Sequence, residues 1–391
     1  MEQMIKKILT ENILPFWLNK MEDNENGGFY GRIDGHDHLV ADAEKGAILN
    51  ARLLWSFASA YRLTGDVSYL KAAQRAKNYI IDHFIDKEYG GVYWSLDCKG
   101  EPTNSKKQTY AIGFTIYGMA EMARAANDEE ALEVAKQLFN DIETHAFDSV
   151  NNGYIEALTR EWQPIADMRL SDKDENGSKT MNTHLHILEP YTNLFRVWKD
   201  QRLEQQLRNL IDIFCDIIRN PKTGHLDLFF NDQWQGKRNI ESFGHDIEAS
   251  WLLHESALVL GDKEVLQKVE PTVKDIARAA DEGLQENGAM IYERWKDSDE
   301  SDADLHWWVQ CENVIGHYNL YQHFDDEKAL DIVKQCLHFI DSTLIDWQNG
   351  EWHWSQRADG TINLDDDKAG FWKCPYHNTR MCTELLERMK E

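Results

Sequence analysis

Three histidines, His184, His245 and His377, each lie near the predicted start of a helix, where they could exchange protons with a ligand. A helix N-terminus disfavours the imidazolium ion, so a histidine there stays neutral and suits a general base near pH 7. Ser242 is a candidate N-cap, which places His245 in the first turn of its helix. Pro375 suits the first helical position and places His377 likewise. These residues indicate acid–base catalysis by histidine.

Residues near these histidines could orient them or bind the ligand. Glu248 lies three residues after His245 on the same helix face, where its carboxylate could orient the imidazole. Arg52 belongs to an otherwise apolar helix and is costly to bury alone, so it must meet either a carboxylate or an anionic or oxygen-rich ligand. His186 is two residues from His184 and points to another face, so we interpret it as structural.

Tryptophans follow the same loops as the histidines. Trp308 and Trp372 could fill the core, because 14 tryptophans have to be buried somewhere, or they could stack on sugar rings at a pocket mouth. A metal site is not supported, because no HExxH motif occurs and the spacing of His184 and His186 is wrong for two ligands on one helical face. The sequence has no glycine-rich phosphate loop either.

The elements that must position these residues recur along the chain. A turn glycine followed by a short, alternating, aromatic-rich run that predicts a strand occurs six times, at spacings of 62 to 71 residues. Between successive glycines lie two segments with apolar residues at helical spacing, separated by short polar joints. The six glycines are Gly28, Gly91, Gly153, Gly224, Gly288 and Gly350.

This repeat predicts twelve helices, the first of which pairs with the last across the termini. Six helical hairpins that hide an apolar face only against their neighbours can close into a ring, which removes the need for capping repeats. The even-numbered helices are the more apolar and predict an inner layer. We therefore expect residues 1–391 to form a single all-α domain, an (α/α)6 barrel with short β-hairpins in its long loops. The helices are predicted at residues 3–19, 42–63, 67–86, 106–125, 129–146, 181–198, 201–219, 243–260, 263–281, 303–323, 327–345 and 374–389.

The long loops that carry the predicted strands all precede inner helices. These loops and the N-termini of the inner helices must therefore gather at one mouth of the barrel. A functional site is expected at that mouth, because the histidines, Arg52 and the tryptophans all follow these loops.

The composition excludes several kinds of partner. The 42 basic and 68 acidic residues give a net charge of −26, which repels nucleic acid backbones and anionic membranes. No uncharged apolar stretch is long enough to cross a bilayer. Six cysteines without CxxC spacing indicate reduced thiols. We expect a cytoplasmic protein that binds neither nucleic acid nor membrane.

Three separated segments resemble the signature segments of a known family. They begin at Met181, Phe243 and Trp372 and read MNTHLHILEPYTN, FGHDIEASWLL and WKCPYHNTR. Together with Arg52, they are similar to the N-acylglucosamine 2-epimerase superfamily and, within it, to the cellobiose 2-epimerases, along the whole chain. The resemblance implies an (α/α)6 barrel that interconverts glucose and mannose at the reducing end of β-1,4-linked disaccharides such as cellobiose, lactose and mannobiose. It also implies that neither a metal nor a nucleotide cofactor is needed.

The resemblance further implies a role for each candidate residue. His245 and His377 would be the acid–base pair at C2, His184 would assist ring opening, and Arg52 would hold the C2 or enediolate oxygen. The sugar would be sandwiched by Trp308 and Trp372, with support from Asn182, Tyr110, Glu248, Trp251 and Glu312.

Other activities remain open at this point. Within the same superfamily, the chain could epimerise N-acetylglucosamine or isomerise free mannose or glucose. A glycoside hydrolase on the same barrel would use Glu248 and Glu312 as paired carboxylates. A sugar-binding protein without turnover would use the tryptophans alone, although binding a neutral sugar does not require three histidines. We expect a small-molecule disaccharide as the partner and a monomer or weak homodimer.

Overall fold

Six helices form a closed inner ring, in which each packs against the next and the last packs against the first. The computed structural model that shows this ring describes residues 1–236, 240–298 and 300–390. Most residues of these helices are buried, as expected of a layer that is covered on both sides. The inner helices are α2 (Ala47–Thr64), α4 (Thr109–Ala126), α6 (Met181–Val197), α8 (Phe243–Leu260), α10 (Trp307–Phe324) and α12 (Tyr376–Arg388).

Six outer helices alternate with the inner ones along the chain, and the first of them packs against α12, as predicted. The other five begin at the predicted polar joints, where an aspartate N-cap accepts a backbone N–H. The outer helices are α1 (Glu2–Lys7, Ile8–Ile13 and Leu14–Lys20), α3 (Val67–Tyr79 and Ile80–Phe84), α5 (Glu129–Asp141 and Ile142–Ala146), α7 (Gln201–Ile213 and Phe214–Ile218), α9 (Lys263–Ala280 and Asp281–Gly283) and α11 (Glu327–Phe339 and Ile340–Leu344).

Short antiparallel strands occupy the loops that lead into the inner helices. Five of the six predicted strands are confirmed in position but are shorter than expected, because the described residues pair over only two or three positions at a time. The predicted strand after Gly28 is wrong, because Phe29 and Ile33 form isolated bridges there. The strands are β1 (Lys45–Gly46), β2 (Ser95–Leu96), β3 (Pro102–Asn104), β4 (Lys107–Gln108), β5 (Ala157–Leu158), β6 (Lys179–Thr180), β7 (Phe229–Phe230), β8 (Ile240–Ser242), β9 (Glu293–Trp295), β10 (Ser301–Asp302), β11 (Leu305–His306) and β12 (Ser355–Gln356).

Three inner helices start later than the sequence predicts. The predicted starts at residues 42, 106 and 303 move to 47, 109 and 307, because the residues just before each helix pair as strands. These strands are β1, β4 and β11, which pair with β2, β5 and β12 of the next loop along the chain. The pairing ties the first turn of each of these helices to its neighbouring repeat, which fixes the positions of residues at the mouth.

The structure also tests two expectations about the surroundings of the chain. Within the described ranges, no helix combines the length and the apolar character needed to cross a bilayer. All six cysteines are free thiols, as their spacing predicted, and five of them are buried.

The six repeat glycines all have a positive φ, between 62° and 85°, which is a conformation that other residues adopt at a cost. Gly153 is also crowded, because a Cβ there would lie 2.3 Å from the Trp234 ring and 2.8 Å from Nε2 of His184. Gly261 has a similar φ of 71°, but a Cβ at that position would meet nothing within 4 Å. Substituting Gly261 by alanine would therefore introduce backbone strain alone, whereas substituting Gly153 would introduce both backbone strain and steric crowding.

We predict that Gly153→Ala destabilises the protein more than Gly261→Ala does. The Gly261 variant should lose about 1 kcal/mol of unfolding free energy from backbone strain alone. The Gly153 variant should lose a further 1–3 kcal/mol or so, which is the usual cost of overpacking. Denaturant titration of both variants measures the difference, and equal losses would contradict the close packing at the repeat glycine.

Candidate active site

A cavity of about 1020 Å³ opens at the mouth of the barrel, where the inner helices begin. Its wall is built from the first turns of these helices and from the strand-bearing loops before them, where the repeat predicted a site. Eight of the eleven predicted site residues line the cavity, and the other three lie behind its wall. The eight are Arg52, Tyr110, Asn182, His245, Glu248, Trp308, Trp372 and His377.

His377 is oriented by a carboxylate from the neighbouring inner helix. It lies in the first turn of α12 as predicted, although Pro375 occupies the N-cap rather than the first helical position. Its Nδ1 lies 2.7 Å from Oε1 of Glu312 in α10, so Nε2 is the ring nitrogen that can face a ligand. Burial, followed by the charges of Arg52 and Arg380, holds the pKa of His377 well below its usual value. The ring is therefore neutral near pH 7.

His245 is oriented by a serine and not by the glutamate that the sequence suggested. Ser242 stands at the N-cap of α8 as predicted, but its hydroxyl lies 2.7 Å from Nδ1 of His245 and does not cap a backbone amide. Glu248 instead accepts a hydrogen bond from Arg380. Burial lowers the pKa of His245 to about 3, so this ring is neutral as well.

His186, and not His184, lines the cavity together with His245, His306 and His377, so the predicted placement of His184 and His186 was wrong. His184 is wholly buried, with Nδ1 2.6 Å from the carbonyl oxygen of Thr180, and its Nε2 accepts the backbone N–H of Tyr154 at 2.9 Å. His186 lines the cavity, and its Nδ1 lies 3.0 Å from Oε2 of Glu189. Burial lowers the pKa of His186, which keeps its ring neutral too.

A bend in α6 accompanies the exchange of these two histidines. The helix departs from helical geometry at His186, where φ is −89° and ψ is 16°. Pro190, four residues later, lacks the N–H that would bond to the carbonyl of His186. That carbonyl oxygen faces Gly113 of α4, where a Cβ would lie only 2.4 Å away. Pro190 was therefore a sign in the sequence that α6 is irregular, and that the directions of His184 and His186 could not be predicted from a regular helix.

Arg380, three residues after His377, joins carboxylates from three other inner helices. Its guanidinium binds Glu189 of α6, Glu248 of α8 and Glu312 of α10, and all four side chains are buried. The sequence analysis missed Arg380 and Glu189, although each lies three residues from a cavity histidine on the same helix face. This ion cluster, Arg380 with the three glutamates, lies behind the cavity wall except at Glu248, which lines the cavity.

Trp251 and Glu312 belong to this supporting layer rather than to the cavity lining. Trp251 donates its Nε1–H to Oε2 of Glu312 at 2.9 Å, and its ring lies 4.8 Å from the guanidinium of Arg380. The ligand atoms of Glu248, Glu312 and His377 lie within 4.8 Å of one another, close enough to hold a metal ion. Arg380 already supplies positive charge to both of these carboxylates.

Arg52 is a buried cation whose partners are neutral. It donates to the Tyr110 hydroxyl at 2.8 Å, and its Nη1 lies 3.7 Å from Sγ of Cys374. Its guanidinium lies 4.1 Å from the ring centroid of Phe114 and 4.7 Å from that of Tyr376. No carboxylate in the described part of the chain forms a salt bridge with it. Of the two partners that the sequence suggested for Arg52, a carboxylate is not found, and an anionic or oxygen-rich ligand remains.

Aromatic and amide groups complete the wall around the histidines. The ring centroid of Trp308 lies 4.8 Å from that of His245 and 5.6 Å from that of His377, so both rings flank one indole. Trp372 presents a second indole to the cavity. Oδ1 of Asn182 is buried without a hydrogen-bond partner among the described residues, which leaves it ready to accept one from a ligand.

Comparison with known proteins agrees with this geometry. The chain belongs to the N-acylglucosamine 2-epimerase (GlcNAc 2-epimerase) family, whose model matches residues 28–380. It is 60% identical to a cellobiose 2-epimerase of Bacteroides fragilis over 99% of this chain and 98% of the relative, and 39% identical to one of Ruminococcus albus over 98% of each. The solved cellobiose 2-epimerase of Bacillus thermoamylovorans superposes with a TM-score of 0.95 at 40% identity and covers 99% of both chains. The (α/α)6 barrel is thereby confirmed.

We predict that the two buried arginines affect stability in opposite ways. Arg52→Met should leave the unfolding free energy within about 1 kcal/mol of the wild-type value or raise it, because a buried cation without a counter-charge is costly. Arg380→Met should lower it by about 3–5 kcal/mol, because three buried carboxylates lose their cation. Denaturant unfolding of the two variants measures both changes. A loss at Arg52 as large as that at Arg380 would show that Arg52 is not the uncompensated charge described above.

Proposed function

We propose that this chain epimerises C2 of the reducing-end glucose in β-1,4-linked disaccharides such as cellobiose, lactose and mannobiose, giving the mannose epimer. The observation that carries the proposal is the arrangement of two neutral, oriented histidines in one cavity with a buried arginine that has no counter-charge. Proton exchange at a carbon next to a carbonyl needs bases for the proton and a cation for the resulting anion. His245, His377 and Arg52 are these groups.

The reaction requires an open-chain sugar, and His186, His245 and His377 divide its steps. We assign ring opening to His186, which replaces His184 in this role because it lines the cavity. One of His245 and His377 removes the C2 proton to give a planar enediolate, and the other returns a proton to the opposite face. Each such proton transfer typically contributes about 10²–10⁴-fold to the rate.

The enediolate carries a negative charge on the oxygens of C1 and C2. Arg52 offers it a guanidinium that pairs with no carboxylate of the described residues, and Tyr110 holds that guanidinium through its hydroxyl. Trp308 and Trp372 offer faces on which sugar rings stack, and Asn182 accepts a hydrogen bond from a sugar hydroxyl. No step uses a metal or a nucleotide cofactor.

A disaccharide fits the extent of the cavity better than a single sugar does. The cavity continues from the histidines to an outer part lined by residues 169–175 and 365–367, which supply several charged side chains for sugar hydroxyls. The relatives at 60% and 39% identity are both named for action on a disaccharide. These two observations favour a disaccharide over N-acetylglucosamine or free mannose, which other members of the family could use.

The hydrolase and the binding-protein alternatives receive less support. Paired catalytic carboxylates must flank a glycosidic bond, whereas Glu248 and Glu312 share one arginine and Glu312 lies behind the wall. A binding protein would not need three histidines with oriented rings.

We further propose that the enzyme works in the cytoplasm as a monomer or weak homodimer and binds neither nucleic acid nor membrane. The free thiols and the net charge of −26 support this setting.

We predict that the purified protein, incubated with cellobiose or lactose in D2O after metal chelation, forms the mannose epimer with deuterium at C2. Carbon NMR reports both the epimer and the label, because exchange with solvent at C2 is what the enediolate route produces. His377→Asn should abolish the labelling. An unlabelled disaccharide alongside reactive mannose or N-acetylmannosamine would overturn the substrate, and release of monosaccharides alone would favour the hydrolase.

We also predict opposite phenotypes for the two neighbouring histidines of α6. His186→Asn should lower kcat by about 10²-fold or more, because it removes a proton-transfer group from the cavity. His184→Asn should cost about 1–3 kcal/mol of unfolding free energy, because it leaves buried backbone groups unpaired, with a much smaller effect on kcat. Activity and denaturant unfolding measured on both variants test the assignment. The reverse pattern would restore His184 as the third histidine of the site.

A further inference from the structure

The ion cluster behind the cavity holds more carboxylates than its cation can neutralise. Arg380 binds Glu189, Glu248 and Glu312, and each of these four side chains is at most 2% exposed. Unpaired charge in such a place is costly, so a buried group that lacks a partner takes up or loses a proton instead. The question is therefore which of the three glutamates carries a proton.

The hydrogen bonds to the three glutamates are unequal. Glu312 accepts from Nδ1–H of His377, from Nη2 of Arg380 and from Nε1 of Trp251. Glu189 accepts from Arg380 and from the Tyr376 hydroxyl, and its Oε2 lies 3.0 Å from Nδ1 of His186.

Glu248 has only one of these contacts, from Nη2 of Arg380 to Oε1 at 2.6 Å. Its Oε2 is buried and has no hydrogen-bond partner in the described ranges. A carboxylate oxygen that receives no hydrogen bond in a buried place is where a proton is bound most readily. The geometry therefore singles out Glu248.

The other charges around Glu248 lead to the same result. The cations that face this region are Arg380 of α12 and Arg52 of α2, and the histidines of α6, α8 and α12 are neutral. Only Arg380 forms salt bridges with the three glutamates among the described residues, so three ionised carboxylates would leave this cluster with a net charge of −2, and one proton on Glu248 reduces it to −1. The remaining titratable neighbours, Tyr110 of α4 and Tyr376 of α12, have pKa values raised by burial and stay neutral.

We propose that Glu248 is a neutral carboxylic acid in the working enzyme, with its proton on Oε2, and that it lowers the negative charge beside the cavity before the enediolate forms. This inference rests on the proposed epimerase function. An ionised Glu248 would place a further negative charge beside the developing enediolate and so oppose its formation. Glu248 thus acts through the electrostatics of the site as a positioning residue, while the histidines move the protons.

The pKa shifts are consistent with this assignment, although burial raises the pKa of Glu312 as well, against the lowering effect of Arg380 and of the hydrogen bonds from Arg380 and Trp251. Burial, followed by repulsion from Glu312, raises the pKa of Glu248 well above its usual value. Burial alone would also raise the pKa of Glu189, but Arg380 and its hydrogen bonds lower it to about 2. Because the pKa of Glu248 is raised, its neutral form is present below that pKa and is lost as the pH increases through it. Activity that depends on neutral Glu248 must therefore fall on the alkaline side.

The test compares Glu248→Gln with Glu312→Gln, two variants with the same change beside the same arginine. The amide in Glu248→Gln keeps the shape and neutrality of a carboxylic acid, so kcat near pH 7 should fall by no more than about tenfold, and the alkaline fall in kcat should disappear. The Glu312 variant should lose about 10²-fold or more, because His377 loses its ionised partner. The readout is the pH profile of kcat for C2 epimerisation.

Infrared difference spectroscopy tests the proton independently of catalysis. Wild-type protein near pH 7 should show the C=O stretch of a protonated carboxyl group that Glu248→Gln removes. Glu248→Asp keeps a carboxyl group and should shift the band without removing it. The proposal fails if the band persists in Glu248→Gln, or if that variant keeps the alkaline fall or loses as much kcat as Glu312→Gln. Wild-type protein that shows the band but makes no labelled epimer would overturn the proposed function and leave the protonation of Glu248 standing.

Discussion

The ion pairs of Arg380 reach beyond the two helices that neighbour its own in the ring. Arg380 lies on α12, whose neighbours are α10 and α2, yet it also binds Glu248 of α8 and Glu189 of α6. One guanidinium therefore spans the interior of the barrel and fixes the separation of four of its six inner helices. The same contacts orient chemistry, because Glu189 contacts His186 and Glu312 contacts His377. The contacts that close the barrel therefore also orient two of the histidines that line its cavity.

A second set of buried ion pairs fixes the mouth. Just before four of the inner helices stands a buried lysine whose ammonium lies 2.8 Å from a carboxylate in a neighbouring loop turn. Before α8 the charge is reversed, because Glu241 stands there and binds Arg294. Buried ion pairs add little net stability, but separating the two members would leave an unpaired buried charge at a high cost. The pairs therefore fix the positions of the residues that carry them. They hold the loops against the first turns in which His245 and His377 lie. The four pairs are Lys45–Asp23, Lys107–Asp86, Lys179–Asp148 and Lys373–Glu351.

The sequence was sufficient for features that depend on local pattern. The period of the turn glycines and the apolar spacing between them predicted twelve helices, and the aspartate joints predicted where the outer ones begin. Features that depend on contacts between distant helices of the barrel could not be predicted from these local patterns. The partner of His245 could not be chosen between Ser242 and Glu248 without knowing that Arg380 comes within reach of Glu248. Likewise, a regular helix would separate the faces of His184 and His186, whereas the proline-linked bend in α6 brings His186 to the cavity.

Burial gives the histidines a cause of neutrality that the sequence did not show. The helix N-terminus was expected to suppress the imidazolium, and the structure adds burial, which is the first cause of the lowered pKa of both His245 and His377. A strongly lowered pKa makes a weak base, which conflicts with proton removal from a carbon acid. The conflict is resolved by charge, because Arg52 contributes to the low pKa of His377 before the reaction begins. As the enediolate develops, its negative charge offsets that of Arg52 and favours the protonated ring, so the basicity of His377 rises with the progress of the reaction it performs.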